Sequence, residues 1–301
     1  MTTPELDQAA MASIEDAIRQ KKCILFLGAG VHVPPPNDLQ QRWPYPVDQR
    51  PPLGSALSEH LAQKLDLARL HPNESLRNLG RTSLFYEVAR GRRQLIDELR
   101  QAVDIGKQPS PVLQALADLQ FPLVITTNYD KLLERALARA GCIPRVSIYN
   151  PDSHVPTEDL RDDPDPKQPF LFKIHGDIDK PESIVITDED YIQFILRMGD
   201  DKVYSPLPET FHYHFVRWTT LFVGYSLLDY NLRLLFKTLR WKIDLASIPD
   251  SYSVDRFPDP LIVDVLSNRQ RLVRFVVEDI WTFVPELYRR ILGEEMPDHH
   301  S

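Results

Sequence analysis

The sequence predicts an α/β protein: a doubly wound, mainly parallel sheet with a helical module inserted after its first strand. Three observations carry this reading. Short continuous apolar runs recur along the chain, as strands buried on both faces require. Most of these runs end in a glycine or polar turn followed by a plausible helix, the alternation that builds parallel sheets. Between Leu53 and Asp104, by contrast, helical periodicity continues without a convincing strand.

Residues 4–20 read as a helix, because Leu6, Ala9, Ala10, Ile14 and Ile18 fall near helical spacing among mostly polar neighbours. Cys23–Leu27 is the first apolar run and ends at Gly28. Helical segments near 56–70, 76–90 and 92–103 make up the module, which spans about 53–105. Further strands are expected at 123–125, 170–174, 183–186, 220–223 and 272–277. Leu132, Leu133, Ala136, Leu137 and Ala140 form one apolar stripe after the second run. Phe275–Val277, followed by Ile280, Trp281, Phe283 and Leu287, fits a last strand and its packing helix. Residues 247–301 are compatible both with completing the sheet and with forming an interface. Prolines concentrate in two long irregular segments, 34–52 and 151–169; loops of this length are more often functional than merely connective. The chain is read as one domain, residues 1–301.

Composition narrows the function classes. Apolar residues make up 43% of the chain and charged ones 26%, ordinary for a globular protein. A net charge of −8 offers no basic field for a nucleic-acid backbone, so no direct nucleic-acid binding is expected. The two cysteines, Cys23 and Cys142, cannot build a four-cysteine zinc site and read as buried free thiols in a reducing compartment. The acidic start lacks a signal peptide and no apolar run approaches membrane length, so a cytoplasmic protein without a membrane role is expected. His212 and His214 read as polar positions on a strand or helix, and no metal-ligand cluster is evident.

In an open α/β sheet, ligands bind beyond the carboxyl ends of the strands. Gly28-Ala29-Gly30 follows the first run, where glycines let a phosphate approach the backbone, or simply make a tight turn. Thr126-Thr127-Asn128-Tyr129-Asp130 follows the second. One such residue would suffice to cap the next helix, and four favour a ligand-facing set. His175-Gly176-Asp177 follows the third, a histidine beside a carboxylate that could orient it. Gly224-Tyr225-Ser226 leads on to Asp229 and Asn231 after the fifth. Turns and caps alone explain any one of these, but not all four together.

The ordered set Leu27-Gly28-Ala29-Gly30, Thr126–Asp130, Lys173–Asp177 and Val223–Leu227 resembles the sirtuin-like (silent information regulator) family. It is most similar to the bacterial, zinc-free NADase branch, over roughly residues 20–240. The run Asp179–Thr187 followed by Asp190-Tyr191 adds to the likeness. The resemblance implies a Rossmann-like domain that takes NAD+ as substrate and needs no metal. It implies catalytic roles for Asn128, facing the nicotinamide ribose, and His175, as general base. Gly28 and Gly30 would lie against the pyrophosphate and Asp130 would support Asn128 from the same turn, with Ala29, Thr127 and Gly176 also binding the cofactor. Gly224, Ser226 and Asn231 would line the adenosine side. One departure stands out: where relatives carry a serine and a further glycine turn, this chain has His32 and Pro34-Pro35-Pro36. His32 is expected to be solvent-exposed.

The function implied is hydrolysis of the nicotinamide–ribose bond to nicotinamide and ADP-ribose, in bacterial antiphage defence by NAD+ depletion. Such an enzyme must stay silent until triggered. A homo-oligomer is therefore expected, or gating by a partner such as an ATPase of the HerA type or an Argonaute-like sensor. Two other functions compete. An NAD-dependent deacylase or ADP-ribosyltransferase lacks its usual zinc ribbon here, and a non-catalytic NAD or ADP-ribose sensor has no need of both Asn128 and His175.

Overall fold

The strand residues alternate between two cores, and that alternation sets the layers of the molecule. In the computed structural model, which describes residues 7–72, 74–151, 163–199, 207–225, 227, 249–269 and 273–298, β1 (Cys23–Leu27) is buried along its whole length. Leu25 and Leu27 join one hydrophobic cluster, while Ile24 and Phe26 join another on the opposite face. Six more strands extend this ribbon: β2 (Leu123–Thr126), β3 (Arg145–Ile148), β4 (Phe170–Lys173), β5 (Thr219–Val223), β6 (Ser251–Val254) and β7 (Arg274–Val276). All pair in parallel, in the order β3-β4-β2-β1-β5-β6-β7. From β1 the chain passes to β2, then to the edge strand β3 and back inward to β4, before it crosses to the other side of β1 and winds outward through β5, β6 and β7. The doubly wound, Rossmann-like α/β fold is therefore as the sequence predicts.

Helices cover both faces. On one side lie α1 (Gln8–Arg19), α6 (Pro111–Asp118), α7 (Leu132–Arg139) and α10 (Ile280–Leu292); on the other lie α8 (Asp188–Gly199) and α9 (Glu209–Phe215). Caps fix several starts. Asp7 accepts from the Ala10 amide at 3.0 Å, and Asp279 from that of Trp281 at 2.8 Å. Ser110 caps α6 and donates its hydroxyl proton to the Val31 carbonyl at 2.7 Å, which ties this helix to the turn after β1.

Between β1 and α6 stand α2 (Gly54–Lys64), α3 (Leu67–Leu70), α4 (Leu79–Arg90) and α5 (Arg92–Val103), in the region where helices without a strand are expected. The apolar faces of α2, α4 and α5 share a third cluster with Tyr129, Ile178, Ile184 and Ile186, which lie in the loops after β2 and β4. The helical module thus packs directly on the loops that carry the candidate chemistry.

Three sequence expectations need correction. Residues 183–186 are not a strand. Pro181–Ser183 is a 3-10 turn, and Ile184 and Ile186 bury themselves against the module instead of joining the sheet. The amides of Ile186 and Thr187 bond to the Asp190 carboxylate, and that of Val185 to the His175 carbonyl, so no neighbouring strand is required. β3 and β6 are strands that apolar content did not reveal; β6 is Ser-Tyr-Ser-Val and buried throughout. The first helix starts at Gln8, and the last strand is limited to Arg274–Val276. Both cysteines are free and buried, as expected.

Candidate active site

The turns after six of the seven strands open into one cavity of about 860 Å³ at the carboxyl edge of the sheet. It sits over the point where the chain reverses its winding direction, the place where open α/β sheets bind ligands. Ala29, Gly30, Thr127, Asn128, Asp130, His175 and Gly224 all line it, so seven of the residues singled out in the sequence meet there. Gly28 and Gly176 are not among the lining residues. Ser226 and Asn231 lie outside the described residues.

The turns after β1 and β5 interlock. The Gly28 amide donates to the Val223 carbonyl at 3.1 Å, and the Gly30 amide to that of Gly224 at 2.7 Å. Gly224 has φ +67, and a methyl group there would overlap the backbone nitrogen of Val31. The glycines therefore supply close approach between two turns. The N–H groups of Gly28 and Gly30 are already spent on the β5 end.

Thr126 accepts the Asn128 amide on its hydroxyl at 3.1 Å, which folds the turn that presents Asn128. Asp130 accepts from the Leu132 amide at 2.8 Å as α7 begins. Burial pushes its carboxyl up to about 6; nearby Lys173 and the Leu132 amide oppose the shift, while Glu134 and Asp104 add to it. His175 is buried, with its ring edge-on to Tyr191 and Phe194 at 5.4 Å each. Beyond it, Gly176 turns with φ +92 against the Ser183 carbonyl, in a space that a side chain would not fit.

His32 overturns its expectation of exposure. It is 2% exposed and lines the cavity. Its Nδ1 lies 3.0 Å from the Tyr45 hydroxyl, which donates to the Gln108 carbonyl at 2.9 Å. The Tyr45 proton is thereby used, so Nδ1 carries a hydrogen and donates. Burial lowers the histidine to about 3 and keeps it neutral. The proline segment that follows also forms wall: Pro34–Pro36, Pro51 and Pro52 line the cavity, while Trp43 donates from its indole to the Pro297 carbonyl at 3.1 Å.

Sequence reasoning missed the far wall. Asp255, Arg256 and Phe257 follow β6, and Glu278 and Asp279 follow β7. Arg256, the only guanidinium or ammonium among the described lining residues, pairs with Asp279 at 3.0 Å. The acidic wall suits hydroxyl-rich or cationic ligand groups. Among the described residues, no group of three or more His, Cys, Asp or Glu side chains is placed to hold a metal.

Fold and site together define a nucleotide-type α/β domain whose polar strand ends converge on a single cleft. The chain belongs to the SIR2-like family, whose domain model matches residues 122–274, half of the chain. It is similar to an NAD(+) hydrolase ThsA of Enterococcus faecium, 26% identical over 231 residues, covering 75% of this chain and 41% of that protein. A second protein of that name, from Acinetobacter baumannii, is 29% identical over 150 residues, covering 50% and 28%. Defense-associated sirtuin 2 of Bacillus subtilis is 26% identical over 251 residues, covering 82% and 22%. The chain spans less than half the length of these curated relatives.

Proposed function

We propose that this chain hydrolyses NAD+ at the nicotinamide–ribose bond, releasing nicotinamide and ADP-ribose, as an effector of antiphage defence by NAD+ depletion. The observation that carries the reading is the convergence of Asn128 and His175, from the ends of β2 and β4, on one cavity in a SIR2-like chain. Relatives named NAD(+) hydrolase support it.

The chemistry asks little of the leaving group, because nicotinamide departs neutral from a ring that was cationic. Cleavage leaves an oxocarbenium-like ribosyl centre, so the protein's work is to orient the ribose, tolerate positive charge and deliver water. In this reading Asn128 holds the ribose, Asp130 offers a carboxylate to the developing cation, and His175 takes the proton from the attacking water. The hydrophobic rings around His175 limit competing solvent. No helix among the described residues is long and apolar enough to cross a membrane. A cytoplasmic location, and gating by self-assembly or by an ATPase or Argonaute-like partner, belong to the same proposal.

The test is to incubate the purified protein with NAD+, with and without an acetylated peptide, and to follow nicotinamide and ADP-ribose. Release of both without peptide is expected. Asn128→Ala and His175→Ala should each lower it by at least about 100-fold, the usual scale for losing an acid–base or positioning group. Turnover that requires the peptide would point to a deacylase. Tight binding without turnover in an assembled state would point to a sensor.

A further inference from the structure

A charged side chain in a strand buried on both faces is costly unless every proton finds a partner. Lys173, the last residue of β4, is 0% exposed. Its ammonium lies between the loops that bear Asn128 and His175. Nζ donates to the Tyr129 carbonyl at 3.2 Å and also to that of Asp130, so it grips the main chain directly after Asn128. The same nitrogen pairs with Asp177 at 2.7 Å, two residues beyond His175. Glu134, at the start of α7, lies 3.4 Å away. Lys131 completes the cluster, 2.8 Å from Asp177 and 2.9 Å from Glu134. The two ammoniums face the carboxylates of Glu134 and Asp177, with Asp179 4.0 Å from Lys131 and the Asp130 carboxyl also under the pull of Lys173.

Each loop has its own internal bonds, and the loops also meet directly, through the Ile178 amide on the Tyr129 carbonyl at 2.9 Å and the Tyr129 hydroxyl on the Val185 carbonyl at 2.8 Å; Lys173 adds a buried charged tie that reaches both turns from one nitrogen. Asp177 shapes the turn after His175, since its carboxylate accepts the Asp179 amide at 2.8 Å and its own amide donates to the Ser183 hydroxyl at 3.0 Å. The Tyr129 and Asp130 carbonyls belong to the other turn. Lys173 bonds to both, yet it is not among the residues lining the cavity. A buried ion pair contributes little net stability compared with well-packed apolar groups, and its best-attested use is to select one geometry. A strand-end lysine with partners in two facing loops is placed for that use.

We propose that Lys173 is a positioning residue, whose buried ammonium, held by the Tyr129 and Asp130 carbonyls and the Asp177 carboxylate, fixes Asn128 and His175 relative to each other. The kinetic part rests on the proposed NAD+ cleavage; the structural part does not.

The test compares the full-length wild type with Lys173→Met and with Asp177→Asn, the latter keeping an acceptor for the Asp179 amide while weakening the tether. Two quantities are read: kcat against KM for NAD+, and hydrogen exchange of amides 127–131 and 175–179. For Lys173→Met, kcat should fall about 100-fold with KM within about 3-fold, the scale of a misplaced reacting group. For Asp177→Asn the fall should be about 10-fold. Exchange should quicken in both segments together, while β1 and α10 keep their protection. A kcat within 3-fold of wild type, a loss carried by KM, or exchange that changes in neither loop or in only one would overturn the proposal. If Lys173→Met does not fold, Asp177→Asn decides by the same criteria. If the wild type releases no nicotinamide under any condition, the functional reading fails, and the exchange arm alone decides the clamp.

Discussion

In the proposed reaction, Asp130 is the cavity residue whose ionisation bears most directly on the rate. Its carboxyl titrates near 6, raised by burial against the pull of Lys173. A carboxylate that stabilises a ribosyl cation works only when ionised. NAD+ cleavage should therefore rise with pH through about 6, and Asp130→Asn should remove that limb and lower the plateau; a pH profile of kcat for both proteins checks this. Stability should move the other way. Between the ordinary carboxyl range and about 6 the folded protein holds a proton that the unfolded chain has lost, so stability falls as pH rises through that window and then levels. Asp130→Asn should flatten this decline in thermal melts. At this scale the site was partly legible. Asn128, Asp130 and His175 stood out because polar residues ended apolar runs. The lysine inside Phe-Leu-Phe-Lys-Ile was a visible signal too, since a charge in a two-sided buried strand demands partners. His32 misled because its partner, Tyr45, lies within the irregular proline segment, where no periodicity points to a contact.

At the scale of elements, the turns after β1 and β5 depend on each other. Gly224 combines a left-handed backbone with contact against Val31, so Gly224→Ala combines a conformational penalty with a backbone overlap. A loss of roughly 3 kcal/mol is expected, measured by urea denaturation. The strands β1, β2, β4 and β5 could be read because they are apolar and end in distinctive turns. β3 and β6 could not: Arg145-Val-Ser-Ile is a half-exposed edge strand, and Ser251-Tyr-Ser-Val takes its burial from neighbours in the sheet. The run 183–186 shows the opposite error. Its apolarity was real, but it serves the helical module, and periodicity alone does not tell which surface a short apolar run will meet.

For the whole molecule, the decisive relation is between that module and the loop after β4. Arg92 on α5 binds Asp190 at 2.7 Å and the Ile184 carbonyl at 2.6 Å; Arg100, a little over two turns on, binds Asp179 at 2.8 Å and the Ile178 carbonyl. Both side chains reach main-chain carbonyls, so their loss leaves acceptors unpaired as well as charges. The double variant Arg92→Ala/Arg100→Ala should speed hydrogen exchange across 177–190 and reduce NAD+ cleavage, while the sheet strands keep their protection. An unchanged exchange pattern would show that the apolar contacts of Ile178, Ile184 and Ile186 suffice to hold the loop.

The walls of the cavity come from Ala29 at one end of the chain to Ile280 near the other, and the loop gripped by Arg92 lies 92 residues downstream of it. Partial chains therefore cannot own a finished site. During synthesis, the residues after β7 must leave the ribosome before the last wall can close, by which time the rest of the domain is available to fold around it. For the proposed NAD+ hydrolase, this order of assembly means that a nascent copy has no closed cavity until β7 and α10 have emerged, before any trigger or partner is considered.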